Sequence, residues 1–270
     1  MTTGIQTRTP HLRRLAWAGV EVRLGDTRLV IDPLENAEPL APVMGPPRRP
    51  LPPIDTPPGT HVLLTHLHPD HYDHELITRL AASGTVGCHT PIAPTLREAG
   101  IDVIPQEIGL PRYIGPLTVT PVVALDWRGS EADQVAWIVE GAGRRIIHCG
   151  DTMWHGNWWQ IARDHGPFDV AFVPVNGVIA HFDGHEADVP ATMTPEHAIE
   201  AAAALGAGTA CAIHHGLFHN PPIYTEQPDV ERRFRRAAEA RGITAALVND
   251  GEPVPLPIRN AEETGDGSPV

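Results

Sequence analysis

Cysteine is scarce in this sequence: three residues in 270, Cys88, Cys149 and Cys211, with no CxxC pair and no paired spacing. That pattern argues against a disulfide framework and suits a reducing compartment. Long apolar runs are also missing. No stretch approaches the roughly 20 apolar residues of a membrane span, and Glu21 interrupts "LAWAGVEV", after Arg13-Arg14, before it reaches the length of a signal-peptide core. Positive charge is short as well, with 20 basic residues against 33 acidic and a formal net charge of −13. A phosphate backbone would meet net repulsion, so nucleic acid is not the expected partner. Neither low complexity nor an internal repeat appears. What remains is a soluble, cytoplasmic protein with a small-molecule substrate and self-association left open.

What is present suits a globular fold. Apolar residues make up 41% of a chain long enough to bury a sizeable core. Short strand-like segments alternate with helical ones: "LRRLAWAGVEVRL" and "TRLVIDP" read as a hairpin, "HVLLTH" as a buried strand, and "HELITRLAASG" as a helix. The proline-dense residues 40–59 read as a loop or lid. Residues 116–148 read as strands and 154–165 as a helix, followed by the strand "FDVAFVPVNG" and a polar loop over 177–194. A helix capped at Thr194 leads to the strand "TACAIHHG", the helix "PDVERRFRRAAEARG" and the strand "TAALVNDGE". This pattern predicts one α/β domain over residues 1–260, with 261–270 as a disordered tail.

The chemistry concentrates in "THLHPDHYDH", residues 65–74, with four histidines and two aspartates in ten positions. Residues two apart on an extended segment point to the same side, so His66 and His68 can meet one ion. Pro69 breaks the run, and a turn there lets Asp70 and His71 reach a second. Three further strand-like segments end in ligand-type residues, at Asp126, Asp151 and the pair His214-His215, which spacing alone does not separate. Strand ends that converge in this way build sites in layered α/β proteins. Asp151 can bridge two ions, and metals roughly 3.5–4 Å apart would hold a hydroxide between them. His74, at a helix start, reads as solvated. Trp154, Trp158 and Trp159 read as helix packing, with a pocket wall as the alternative.

His66-x-His68-x-Asp70-His71 resembles the HxHxDH signature of the metallo-β-lactamase-fold hydrolases. "IDPL", "HCGDT", "GPFDVAFVPV" and "AIHHGLF" resemble the branch containing ascorbate-phosphate lactonase-like and N-acyl phosphatidylethanolamine phospholipase-like proteins. The resemblance implies an αββα sandwich of two mixed sheets with helices outside, and one or two divalent ions, Zn or Mn ahead of Fe. It implies that His66 and His68 serve the first metal, Asp70 and His71 the second, that Asp151 bridges, and that His214 is the last ligand. Asp70 and Asp151 are then the catalytic carboxylates, with Asp70 or a loop histidine managing the proton, and Asp32 orients a ligand histidine from behind.

Two positions depart from the family pattern. Asp126 stands where a histidine is usual, either as a harder ligand favouring Mn or Fe(II) or behind the metal. Trp17-Ala18-Gly19 replaces a histidine-containing "GHA". His181, His185, His219 and Tyr224 are the candidates for substrate contact. The implied function is hydrolysis of a small-molecule lactone, ester, amide or phosphoester. The alternatives are iron-dependent redox chemistry and a metal-binding protein that has lost catalysis.

Overall fold

The computed structural model describes residues 9–55, 57–127, 134–181 and 187–258. The chain first lays down β1 (His11–Arg14), β2 (Val20–Leu24), β3 (Thr27–Ile31), β4 (Thr60–Leu63), β5 (Val86–His89) and β6 (Val103–Gln106), which hydrogen-bond in that order as one sheet. It continues with β7 (Arg112–Ile114), β8 (Leu117–Val123), β9 (Val135–Gly141), β10 (Arg144–His148), β11 (Val170–Pro174), β12 (Ile179–Ala180), β13 (Thr209–Ile213), β14 (Tyr224–Thr225) and β15 (Thr244–Ala246). Seven of these form the second sheet in the order β15-β13-β11-β10-β9-β8-β7, and β12 pairs with β14 as a separate ribbon. Pairing is parallel from β3 to β6 and from β10 through β11 and β13 to β15, and antiparallel elsewhere in both sheets.

Side-chain alternation decides which faces meet. Leu29, Ile31 and Leu63 point to one side of the first sheet, and Trp137, Phe172 and Ile213 to one side of the second; together they form the central core. The intervening residues point outward. Val30, Val62 and Leu64 pack under α2 (His74–Ala81) and α3 (Ala93–Glu98), while Ile138, Ala171 and Ala212 pack under α4 (Trp158–His165), α5 (Pro195–Ala204) and α6 (Val230–Arg241). The expected αββα sandwich is therefore the observed fold. Each fully buried side chain of this size contributes roughly 1.5–3 kcal/mol, so a one-residue register slip, which would turn a whole strand's apolar set to the wrong face, is strongly opposed. Helix starts follow their caps: Thr194 Oγ1 accepts from His197 N at 3.2 Å, and Asp73 Oδ1 accepts from Leu76 N at 3.1 Å.

Several elements differ from the sequence reading. The expected strand over 12–24 is broken by a tight loop at 15–19, where Leu15 N donates to Gly19 O at 2.8 Å and Trp17 takes φ +57°. A Cβ on Gly19 would stand 2.9 Å from that of Leu15, so the loop closes only with glycine there. The proline-dense stretch begins with one helical turn, α1 (Ala41–Met44). Pro42 fits in that first turn, where a backbone N–H needs no helical partner. The stretch is also tied down, since Asn220 Nδ2 donates to Val43 O at 2.9 Å and Arg48 N to Leu217 O at 2.9 Å. β7 and the β12–β14 ribbon carry too short an apolar pattern to be seen in sequence.

α4 starts at Trp158, four residues later than expected, because hydrogen bonds of the preceding segment go outside a helix: Met153 N donates to Leu125 O at 3.0 Å, and Asn157 N donates to His155 Nδ1 at 3.2 Å. His155 stacks on Trp158 with ring centroids 3.9 Å apart, and its Nε2 is buried without a partner. Burial pulls this histidine down to about 4. The unfolded chain therefore binds the proton that the folded chain refuses. This contribution to stability is complete above the unfolded pKa of 6.5 and is lost as pH falls from there toward 4. Across that window the wild type is expected to lose up to roughly 3 kcal/mol that His155→Gln does not lose. Urea unfolding of both proteins at neutral pH and near pH 4.5 checks this.

Candidate metal centre

Parallel pairing puts the C-terminal ends of neighbouring strands at one edge of each sheet, and the two edges meet. Asp32 follows β3, residues 65–71 follow β4, Asp151 follows β10 and His214 follows β13. Cross-sheet hydrogen bonds lock the meeting: Val135 N to Thr65 O at 3.0 Å, His214 N to Trp17 O at 3.1 Å, and His148 Nε2 to Ala18 O at 2.7 Å. After β4 the chain stays extended through His66 and His68, then turns as His71 N and Tyr72 N both donate to His68 O.

Six side chains gather there as two adjoining groups: His66, His68 and Asp151; and Asp70, His71 and His214. Within each group one ligand atom per residue lies within 4.8 Å of the others. In the first, Asp151 Oδ2 is 3.6 Å from His66 Nε2 and 3.8 Å from His68 Nδ1. In the second, Asp70 Oδ2 is 3.1 Å from His214 Nε2 and 3.6 Å from His71 Nε2, and it also accepts from the Trp17 indole Nε1 at 3.0 Å. The rings of His66 and His71, one from each group, have centroids 4.2 Å apart. His66 Nε2, His71 Nε2, His214 Nδ1 and Asp151 Oδ1 are buried with no hydrogen-bond partner. Leaving such groups unpaired costs about 1–3 kcal/mol each, so four of them converging on two groups of ligand-type side chains mark a candidate donor set for a cation.

Asp32 explains how two of those nitrogens are aimed. It is fully buried, at φ +46°, a conformation that aspartate and asparagine tolerate better than other residues with a Cβ. Its Oδ1 accepts from Thr65 N at 2.8 Å, and its Oδ2 accepts from the Thr65 hydroxyl at 2.5 Å and from His71 Nδ1 at 2.8 Å. With its own proton given to Asp32, the Thr65 oxygen is left to accept from His66 Nδ1 at 3.0 Å. One carboxylate thus fixes the proton of both rings on Nδ1 and leaves a lone pair on each Nε2, which is the tautomer a metal ligand needs.

The electrostatics agree with this arrangement at His66 and set a proton against it at His71. Burial lowers His66 to about 3, against the pull of Asp151, so the ring is neutral near pH 7. Burial also acts to lower His71, but Asp70 and Asp32 outweigh it and lift this residue to about 9, so near pH 7 its Nε2 holds a proton that a bound cation would displace. Burial would raise Asp70 and Asp151, yet the surrounding imidazoles hold both carboxyls well below the usual range.

The other expected residues scatter. Asp126 lines a small cavity with His66, His68 and Gln134 but belongs to neither group of three. Tyr224 lines a separate cavity that opens over Asp70, Asp151 and His214. His219 instead lines a cleft with Arg48 and Glu226, and His181 pairs with Asp188 at 3.1 Å. His185 lies outside the described residues. Trp158 packs into the core outside the second sheet, Trp154 packs partly against it, and Trp159 is exposed. Trp17 and Thr65 were not singled out as contacts from sequence. Trp17 offered only the family departure as a signal, and Thr65 only its place directly before the motif.

Residues 27–215 match the family described as the beta-lactamase superfamily domain. A UPF0173 metal-dependent hydrolase of Enterococcus faecalis is 31% identical over 222 residues, which is 77% of this chain and 89% of the relative. Igni18, a metallo hydrolase from the archaeon Ignicoccus hospitalis, shares the fold with a TM-score of 0.68 at 19% identity, covering 93% of this chain and 100% of its own. CmlA, a diiron beta-hydroxylase from Streptomyces venezuelae, does so with a TM-score of 0.72 at 18% identity, over 92% of this chain and 54% of its own. Sequence relationship and shared architecture agree, and this chain belongs to the metal-dependent hydrolases of the metallo-β-lactamase superfamily.

Proposed function

We propose that the six clustered side chains bind two divalent ions, one at His66, His68 and Asp151 and one at Asp70, His71 and His214, and that the protein uses them to hydrolyse an acyl or phosphoryl bond of a small molecule in a reducing, cytoplasm-like compartment. The four buried, unpartnered ligand-type atoms carry this reading. When bound, such ions polarise the substrate oxygen and bring the pKa of water into the neutral range. The chain's own residues do the rest. Asp32 sets the histidine tautomers, Trp17 steadies Asp70, and Asp70 or Asp151 takes the proton that the attacking water gives up. Imidazole and carboxylate donors suit Zn, Mn and Fe alike, and the shared fold of a diiron hydroxylase makes iron redox chemistry the second reading.

Elemental analysis of protein purified without added metal, beside turnover of ester and phosphoester probes before and after chelation, separates these readings. One to two equivalents of Zn or Mn, with turnover abolished by chelator and restored by either ion, is the expected result. Turnover that survives chelation overturns the proposal, and iron with oxygen consumption favours the alternative.

A further inference from the structure

The cavity over the candidate centre has walls of two kinds. Its floor is His68, Asp70, Asp151 and His214. The rest of the lining includes Leu40, Val43 and Met44 from the anchored proline-dense segment and Val178, Ala180 and Ala191 from the β12 region. Among the described residues the other polar groups of the lining are neutral, Trp127, Thr192 and Tyr224. The chain contains no lysine, and among the described residues no arginine lines this cavity. Its volume is about 190 Å³, and a cavity of about 150 Å³ holds a benzene-sized group.

Tyr224 is set to donate. Asn176 Oδ1 accepts from the Thr192 hydroxyl at 2.5 Å, which fixes the amide's orientation, and Asn176 Nδ2 then donates to the Tyr224 oxygen at 3.0 Å. The phenol proton has no acceptor among the described residues. Burial holds this phenol above its usual pKa.

Resting on the hydrolase reading above, we infer that the substrate is an uncharged acyl compound, an ester, lactone or amide, whose compact apolar substituent fills this cavity while Tyr224 donates to its oxygen. A substrate with an anionic group beyond the scissile bond would place that group against apolar walls where, among the described residues, no cationic side chain meets it, at the cost of its hydration. In the reaction, water adds to the carbonyl carbon, the bond to the leaving oxygen or nitrogen breaks, and the proton lost by water passes to the leaving group.

The test uses metal-loaded protein and three para-nitrophenyl probes: the butyrate ester, the succinate monoester and the bis-substituted phosphodiester. The butyrate ester is expected to exceed both anionic probes in kcat/KM by about tenfold or more. Tyr224→Phe should lower kcat on it by about a hundredfold, the scale of one lost oxyanion donor, with metal content unchanged. Ala180→Leu, which fills the cavity, should raise KM, again with metal content unchanged. Chelator-sensitive turnover that favours an anionic probe overturns the substrate class and leaves the hydrolase reading standing. No chelator-sensitive turnover of any probe overturns both.

Discussion

Asp151→Asn protein is expected to keep the wild-type circular dichroism spectrum, to lose at least half of its bound metal, and to turn over substrate more than about a hundredfold more slowly. Losing a residue that merely orients a ligand already costs about 10–100-fold, and Asp151 is itself within ligand distance of His66 and His68. Asparagine keeps the shape but removes the charge that stands beside the two imidazoles and that a cation there would use. Asp126→Asn, measured beside it, should keep the greater part of the metal, since Asp126 stands beside the first group without joining it. Full metal content in Asp151→Asn would take this residue out of the centre, and a larger loss in Asp126→Asn would exchange the roles of the two aspartates.

Asp32→Asn is expected to weaken both halves of the centre from a residue that touches no metal. Asparagine tolerates the left-handed backbone at this position, so the turn after β3 survives. The acceptor face does not. If the amide oxygen keeps the Thr65 N–H, its N–H groups turn toward His71 Nδ1, and the ring must carry its proton on Nε2, where the metal would bind. The Thr65 hydroxyl also loses its acceptor and competes for His66 Nδ1. Metal affinity should fall by about 10–100-fold, the scale seen when a ligand's supporting carboxylate is removed, and the fold should lose about 3–5 kcal/mol with the break of a buried charge pair. Titration of apoprotein with Zn beside urea unfolding reads both. Unchanged affinity with lowered stability would reduce Asp32 to a structural role.

How much of this was legible in the sequence depended on distance along the chain. His66, His68, Asp70 and His71 lie within six positions, so local extended geometry and the turn at Pro69 are enough to group them. Asp151 and the pair His214-His215 were found because each closes a short apolar strand, a run that a sequence displays directly, and the family resemblance alone chose His214. Trp17 illustrates the opposite case. Its neighbours read as one alternating strand, and only the close approach at Gly19, the cross-sheet bond from His214 N to Trp17 O, and the docking on Asp70 turn it into the site. Tyr224, His181 and His219 were equivalent polar-loop candidates in sequence. The pairing of β12 with β14 separates them, leaving Tyr224 over the centre and His219 in another cleft.

By itself, then, the sequence determined an α/β succession of strands and helices and a cluster of ligand-type residues at strand ends, because alternation and short-range spacing act through neighbours a few residues apart, while the two-sheet sandwich and the assigned ligand set were implied by its family resemblance. The tertiary structure alone decided the relay from Asp32 through Thr65 to His66, the hydrogen bond of Trp17 to Asp70, the place of Asp126 beside rather than within a group, and the apolar roof that Leu40, Val43 and Met44 set over the centre. Each of these depends on which strand ends become neighbours, and that is settled by the burial of whole sheet faces, not by any short stretch of chain.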